Sequence, residues 1–192
     1  MIKKKLLTVV IVAVLIGSGV AIGLSIALWP REEEGGEQLF LPLEEQVIIG
    51  KNFSSVWNTS ESGTTNDNQV KLPLESGGDY LFLVYWGDGT VDKITRWDQS
   101  ELTHTYSSPG IYTINITGKI IGWRFNNGGD KEKLIEIKQW GDLRLGNSGR
   151  NFYGCANLNI TAMDVLNLEG TTTLEQAFRG CSKLDQIPNM NQ

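Results

Sequence analysis

The residues able to do chemistry are few, and their types limit what they can do. The chain has 192 residues and a single histidine, His104. A Ser-His-Asp relay can be drawn through it with Asp88 or Asp98 and one of many serines. Such a relay needs a presented nucleophile and an oxyanion-binding loop, and the sequence holds no G-x-S-x-G elbow. Two cysteines, Cys155 and Cys181, with one histidine do not make an all-protein catalytic zinc cage. Asp79, Asp88 and Asp92 carry the charge to attract Ca²⁺ but lack the ordered ligand spacing of a calcium loop, so turn carboxylates are the preferred reading. No cofactor is expected, and no catalysis.

Charge narrows the partners. Seventeen Lys+Arg against 22 Asp+Glu give a formal charge of −5. Lys3, Lys4 and Lys5 lie alone at the N-terminus, so residues 31 onward carry −8. Nucleic acid requires a basic face, and none is expected as a partner.

Leu6 to Trp29 is a run of 24 residues without a charge. As a helix it reaches roughly 36 Å, enough to cross a hydrocarbon core. Three lysines before it and Arg31-Glu32-Glu33-Glu34 after it put residues 1–5 in the cytoplasm and the remainder outside. The expectation is a single-pass signal-anchor over 6–29, with a cleaved signal peptide as the competing reading. Residues 30–45 are a Glu- and Gly-rich spacer that repels itself off the membrane.

Residues 46–122 carry β signals. Phe53 to Trp57 is a short apolar run, and Ser60 to Asn68 is a Ser/Thr/Gly/Asn loop. Tyr80 to Trp86 is aromatic and branched throughout, as in a central buried strand. Tyr112, Ile114 and Ile116 alternate with Thr113, Asn115 and Thr117, giving one buried and one wet face. Of six tryptophans, Trp97 beside Arg96 and Asp98 is the one candidate for an exposed stacking platform, and core packing is the preferred role even there.

The turn Trp86-Gly87-Asp88-Gly89-Thr90, followed by His104-Thr105-Tyr106 and Gly110-Ile111-Tyr112, resembles the polycystic kidney disease (PKD) domain. Tyr85 and Trp86 stand where that family's motif has x-F, so the match departs there. The resemblance implies an immunoglobulin-like β-sandwich, with His104 packed before the last strand and Tyr106 at a strand corner.

Two later segments repeat. Asn151 to Leu158 reads NFYGCANL, and Ala177 to Leu184 reads AFRGCSKL, matching at Phe, Gly, Cys and Leu with a period of 26. A period in that range is the mark of a leucine-rich solenoid, whose coils bury their apolar positions only against neighbours. The segment resembles the BspA-like leucine-rich repeat surface proteins. The two resemblances in order, joined through residues 123–149 with repeats over 150–192, imply a cell-surface protein of adhesion or recognition. Cys155 and Cys181, on equivalent coil positions, could form a disulfide, but a ladder of free thiols is preferred. The sequence ends as a third repeat would begin, which reads as truncation or as an end that meets another chain.

The expected fold is therefore mainly β: an N-terminal transmembrane helix, an immunoglobulin-like sandwich and a short solenoid. The expected function is a membrane-anchored extracellular binding module. A structural cell-envelope spacer and an accessory module of a secreted hydrolase are the alternatives. The partner is an extracellular protein or glycan of unknown identity, contacted through Trp97, Arg144, Asn147, Arg150, Tyr153 and Arg179. Four N-x-S/T sequons, at Asn52, Asn58, Asn115 and Asn159, are compatible with N-glycosylation and are expected on the outer side.

Overall fold

The computed structural model describes residues 7–12, 25–30, 50–185 and 190–191. The chain divides into two units, Met1–Gln46 and Val47–Gln192. In the first, β1 (Leu7–Val12) pairs antiparallel with β2 (Ser25–Pro30), Leu7 opposite Pro30 and Val12 opposite Ser25. Of the helix expected over 6–29, residues 7–12 and 25–30 are described and are extended, and the rest lies outside the described residues. Among the described residues, no helix is long and apolar enough to cross a membrane. The local reason is composition: Thr8, Val9, Val10, Ile11 and Val12 are β-branched in succession, and such side chains favour extended backbone. Residues 46–49 of the β region expected over 46–122 lie outside the described residues.

The second unit is mainly β with a sandwich-like core. Its strands are β3 (Phe53–Asn58), β4 (Gln69–Lys71), β5 (Leu74–Tyr85), β6 (Val91–Ile94), β7 (Thr103–Thr105), β8 (Ile111–Trp123), β9 (Leu134–Gln139), β10 (Leu143–Arg144), β11 (Asn159–Ile160), β12 (Leu166–Asn167) and β13 (Met190–Asn191). β8 pairs antiparallel with β5 and with β3, and β3 pairs antiparallel with β9. β4 and β7 form a separate two-stranded sheet, with Val70 opposite His104. The two sheets share one core, in which Val70, Leu72 and Tyr106 meet Trp57, Phe82 and Trp86. The alternation expected in the last strand is present, since Ile114 and Ile116 are buried. β5 alternates too: Tyr80, Phe82 and Val84 are buried, while Leu81, Leu83 and Tyr85 are half-buried. Its continuous apolar run therefore covers one fully buried and one partly covered face.

On the edge of β8 opposite β5, the pairing turns parallel beyond Gly118. Leu143 and Arg144 pair parallel with Ile120 and Ile121 of β8, Arg144 with Asn167 of β12, and Leu166 with Met190 of β13. A second parallel ladder joins β9 to β11, Ile137 opposite Ile160. Between the ladders, three turns bond level to level. Phe125 N–H donates to Asn151 O at 2.9 Å, and Asn127 N–H to Tyr153 O at 3.0 Å. Phe152 N–H then donates to Ala177 O at 2.7 Å, and Gly154 N–H to Arg179 O at 2.8 Å. Phe152 and Phe178, the repeat phenylalanines, stack at 5.2 Å and 11°, with Phe125 tilted against Phe152 at 6.4 Å.

A fully buried pair of charged residues holds the long loop before β4. Asp130 accepts from the Thr64, Thr65 and Lys71 amides at 2.9, 3.1 and 2.7 Å and from the Thr65 hydroxyl at 2.7 Å. The Lys133 ammonium donates to Asn66 O at 2.7 Å, Gln69 O at 2.9 Å, and Thr65 Oγ1 and O at 3.0 and 3.2 Å. Burial lowers the Lys133 pKa, against the opposing attraction of Asp130. Replacing Asp130 by Ala leaves the Thr64, Thr65 and Lys71 amides without their acceptor and the buried Lys133 ammonium without its neighbouring negative charge. We expect Asp130→Ala to cost about 3–5 kcal/mol in urea unfolding. A loss below about 1 kcal/mol would show that the loop is held by other contacts.

Candidate functional site

The motif residues converge on Trp86, at the end of β5. Gly87 and Gly89 have φ of 88° and 94°, the region open to glycine, and turn the chain into β6. A Cβ on Gly87 would lie 2.5 Å from Thr113 O, so the turn closes against β8 only with glycine there. Asp88 then accepts from the Thr90 amide at 3.0 Å and the Thr90 hydroxyl at 2.6 Å. Its second oxygen meets His104 Nε2 at 2.7 Å.

His104 stacks on Trp86 at 4.7 Å and 10°, with Tyr106 edge-on at 4.5 Å. Asp88 is its hydrogen-bond partner among the described residues, and no serine joins the pair. Asp98 pairs with Arg96 at 2.9 Å instead. Tyr106 donates to Trp86 O at 2.9 Å and stacks on Tyr112 at 3.7 Å. Gly110 N–H donates to Thr59 Oγ1 at 2.9 Å, tying the start of β8 to the end of β3. His104 is thus a packed ring between two aromatics, fixed by one carboxylate. In a relay one ring nitrogen meets the acid and the other the nucleophile; here Nε2 meets Asp88, and no serine bonds the ring among the described residues.

The three aspartates weighed for Ca²⁺ are engaged separately. Asp79 pairs with Lys119 at 2.8 Å, Asp88 as above, and Asp92 accepts from Trp86 Nε1 at 2.8 Å. Among the described residues, no three His, Cys, Asp or Glu side chains cluster to hold a metal ion.

The expected contact residues fall into separate groups. Arg144 pairs with Glu169 at 2.5 Å and lines a groove of about 330 Å³ with Lys119, Asp142 and Asn167. Asn147 donates to Gly170 O at 2.7 Å and accepts from the Thr172 amide and hydroxyl. Arg179 lies 5.3 Å from the Tyr153 ring centre, a cation–π contact between successive levels. Arg150 reaches Glu175 at 3.8 Å. Trp97 is 46% exposed, contrary to the packing preferred from sequence, because the loop after β6 turns it away from the core. Trp57, Trp86, Trp123 and Trp140 are all fully buried.

Asn159 is the exposed member of the four sequons. Asn52, Asn58 and Asn115 are half-buried, and Asn52 Nδ2 donates to Asn115 Oδ1 at 2.9 Å. Cys155 and Cys181 are buried free thiols, and Cys181 Sγ donates to Phe152 O at 3.1 Å. Burial pushes both up, Cys181 to about 11 and Cys155 well above its ordinary value. Sequence reading missed the Asp130–Lys133 pair, which looks like part of a solvated charge run, and the Phe125 turn as a first level of the stack. Comparison with protein families, curated proteins and solved structures finds no match.

Two expectations follow. Burial opposes the Asp88 charge, but hydrogen bonds from Thr90 and His104 outweigh it and hold the carboxyl at about 2. A depressed carboxyl stabilises the fold fully above its unfolded value of about 4 and loses that contribution as pH falls towards 2. Asp88→Asn should therefore cost about 1–2 kcal/mol at pH 7, with the gap to the native chain narrowing below about pH 4 and closing only below about pH 2. A gap independent of pH would rule out the charge as its source. For the thiols, an aromatic disulfide reagent at pH 8 should label neither cysteine in the native chain and both in denaturant. No labelling in denaturant would mean that the pair is bonded.

Proposed function

We propose that this chain is a membrane-anchored extracellular binding protein without catalysis, built from a PKD-like sandwich and a short leucine-rich solenoid. The observation that carries the reading is the stack of turns at 125–127, 150–154 and 175–179, bonded level to level. That pattern is what a solenoid requires, because each level can bury its phenylalanine only against the next. It presents Arg150, Tyr153 and Arg179 from adjacent levels, a mixed charged and aromatic surface of the kind that contacts proteins and glycans. Support for the sandwich comes from the Trp86 turn, with Asp88, His104 and Tyr106 all serving it. Support for the anchor comes from the uncharged run over 6–29 between Lys3–Lys5 and Glu32–Glu34.

Two measurements test this. The full chain expressed in cells should sediment with membranes after alkaline carbonate washing, and deletion of residues 6–29 should release it. A full-length chain that washes free would refute the anchor. Cells displaying the chain should bind whole cells or cell-wall polysaccharide saturably. Arg150→Ala with Arg179→Ala should weaken that binding about tenfold at an unchanged melting temperature. Unaltered binding in the double variant would remove the stacked surface as the contact.

A further inference from the structure

Trp97 keeps nearly half of its surface in water, whereas Trp57, Trp86, Trp123 and Trp140 are fully buried. Among the described residues its ring makes no hydrogen bond, ring contact or cation–π contact. The backbone that carries it is nevertheless tied down on both sides. Gln99 Oε1 accepts from the Thr95 and Arg96 amides, the second at 2.8 Å, and Gln99 Nε2 donates to Lys93 O at 3.2 Å. Leu102 N–H donates to Gln99 O at 3.3 Å, and the Leu102 side chain is buried in the core. Beside the ring in the chain, Arg96 and Asp98 pair at 2.9 Å with both side chains exposed, and Glu101 is exposed as well. Val91 and Ile111, the other exposed large apolar side chains of the sandwich, stand elsewhere. Val91 opens β6 opposite Tyr85, and Ile111 opens β8 opposite Asn58, while Trp97 follows the far end of β6. Trp97 is therefore a single accessible indole on a fixed backbone, flanked by polar groups.

We propose that Trp97 is a stacking platform for a neutral pyranose of an extracellular polysaccharide. A pyranose presents a face of C–H bonds, whose positive edges suit the negative face of an indole. Its hydroxyls need both donors and acceptors at the edge of that ring, and Arg96 and Asp98 supply one of each kind. A protein anchor instead needs a cluster of apolar groups that shuts out water, and no second exposed apolar side chain adjoins Trp97 in its loop. An anionic polymer or lipid surface would meet Asp98 and Glu101 in a chain that is acidic overall. The tied backbone lowers the ordering entropy that binding must overcome. The platform takes its extracellular setting from the function proposed above, but shares no residue with the surface of Arg150, Tyr153 and Arg179.

The test is sedimentation of the full chain, in a detergent without a sugar headgroup, with insoluble chitin, insoluble cellulose and cross-linked polygalacturonate. At least one of the two neutral polymers should deplete the chain saturably, and the anionic polymer should not. Trp97→Ala should weaken that binding by at least about tenfold, and Trp97→Tyr, which keeps a ring, by about threefold. Both variants should melt with the native chain, because Trp97 lies outside the core cluster. Arg150→Ala with Arg179→Ala should leave polymer binding unchanged, so whole-cell binding tests the stacked surface and polymer binding tests this one. Absence of depletion by either neutral polymer, equal binding to polygalacturonate, or full binding by Trp97→Ala overturns the proposal. Polymer binding lost in the double arginine variant but kept in Trp97→Ala overturns it as well.

Discussion

One strand carries the second unit. β8 runs for 13 residues and is paired on both edges over much of its length. β5 occupies one edge from Asn115 to Trp123, and on the other β3 occupies Ile111 to Ile116 before β10 takes over at Ile120. The first half of that second edge is antiparallel and the second half parallel, so a single backbone sets the register of two different kinds of sheet. A one-residue slip in β8 would turn Ile114, Ile116 and Ile120 out of the core together. Tyr80 guards the far end: its hydroxyl bonds Gly122 O at 2.8 Å and the Glu75 backbone at 3.0 and 3.1 Å. Gly122 has φ of 105°, and a Cβ there would meet that hydroxyl at 2.7 Å, so the close approach depends on glycine. Burial pushes the Tyr80 phenol up to about 12, which keeps it a donor at any ordinary pH.

What β8 begins, short polar side chains continue. The strands of the stack are two residues long, too short to hold their levels by ladder bonds alone. Asp164 accepts from the Trp140 and Gly141 amides at 3.0 and 2.8 Å, clipping one level to the one before it. Asn147 does the same to Gly170 and Thr172. Buried Asn151 donates to both Trp123 O and Leu145 O, and Asn157 donates to Glu132 O. These bonds tie backbone groups of neighbouring levels together where the two-residue strands supply few ladder bonds, and where such a group is buried, leaving it unpaired costs about 1–3 kcal/mol.

This explains what could be read from sequence and what could not. The alternation in β8, the buried tryptophans and the Trp86 turn are local patterns, set by residues a few positions apart. The 26-residue recurrence at Phe152 and Phe178 is longer but still a pattern of identities, and it marks the stacked pair correctly. Phe125 escaped because Asn126-Asn127-Gly128 follows it where Tyr153-Gly154-Cys155 follows Phe152, so only its place in space shows the kinship. Asp130 and Lys133 escaped for the opposite reason. They sit among Asp130-Lys131-Glu132-Lys133, a composition that reads as a wet surface, yet both are buried under a loop more than 60 residues earlier in the chain.

The N-terminal run shows how environment can outweigh pattern. Its β-branched start suits the antiparallel pairing of Leu7–Val12 with Ser25–Pro30, which satisfies the facing backbone groups and leaves the outward ones to a solvent that can hydrogen-bond. Hydrocarbon offers no such solvent, and an open two-stranded edge there would leave several amides and carbonyls unpaired at several kcal/mol each. The same 24 residues as a helix pair every interior backbone group within the segment. β-branched residues give up only a few tenths of a kcal/mol each in that form, far less than the unpaired edge. The pairing of Leu7–Val12 with Ser25–Pro30 therefore suits a solvent that can hydrogen-bond, and the helix proposed for residues 6–29 suits hydrocarbon.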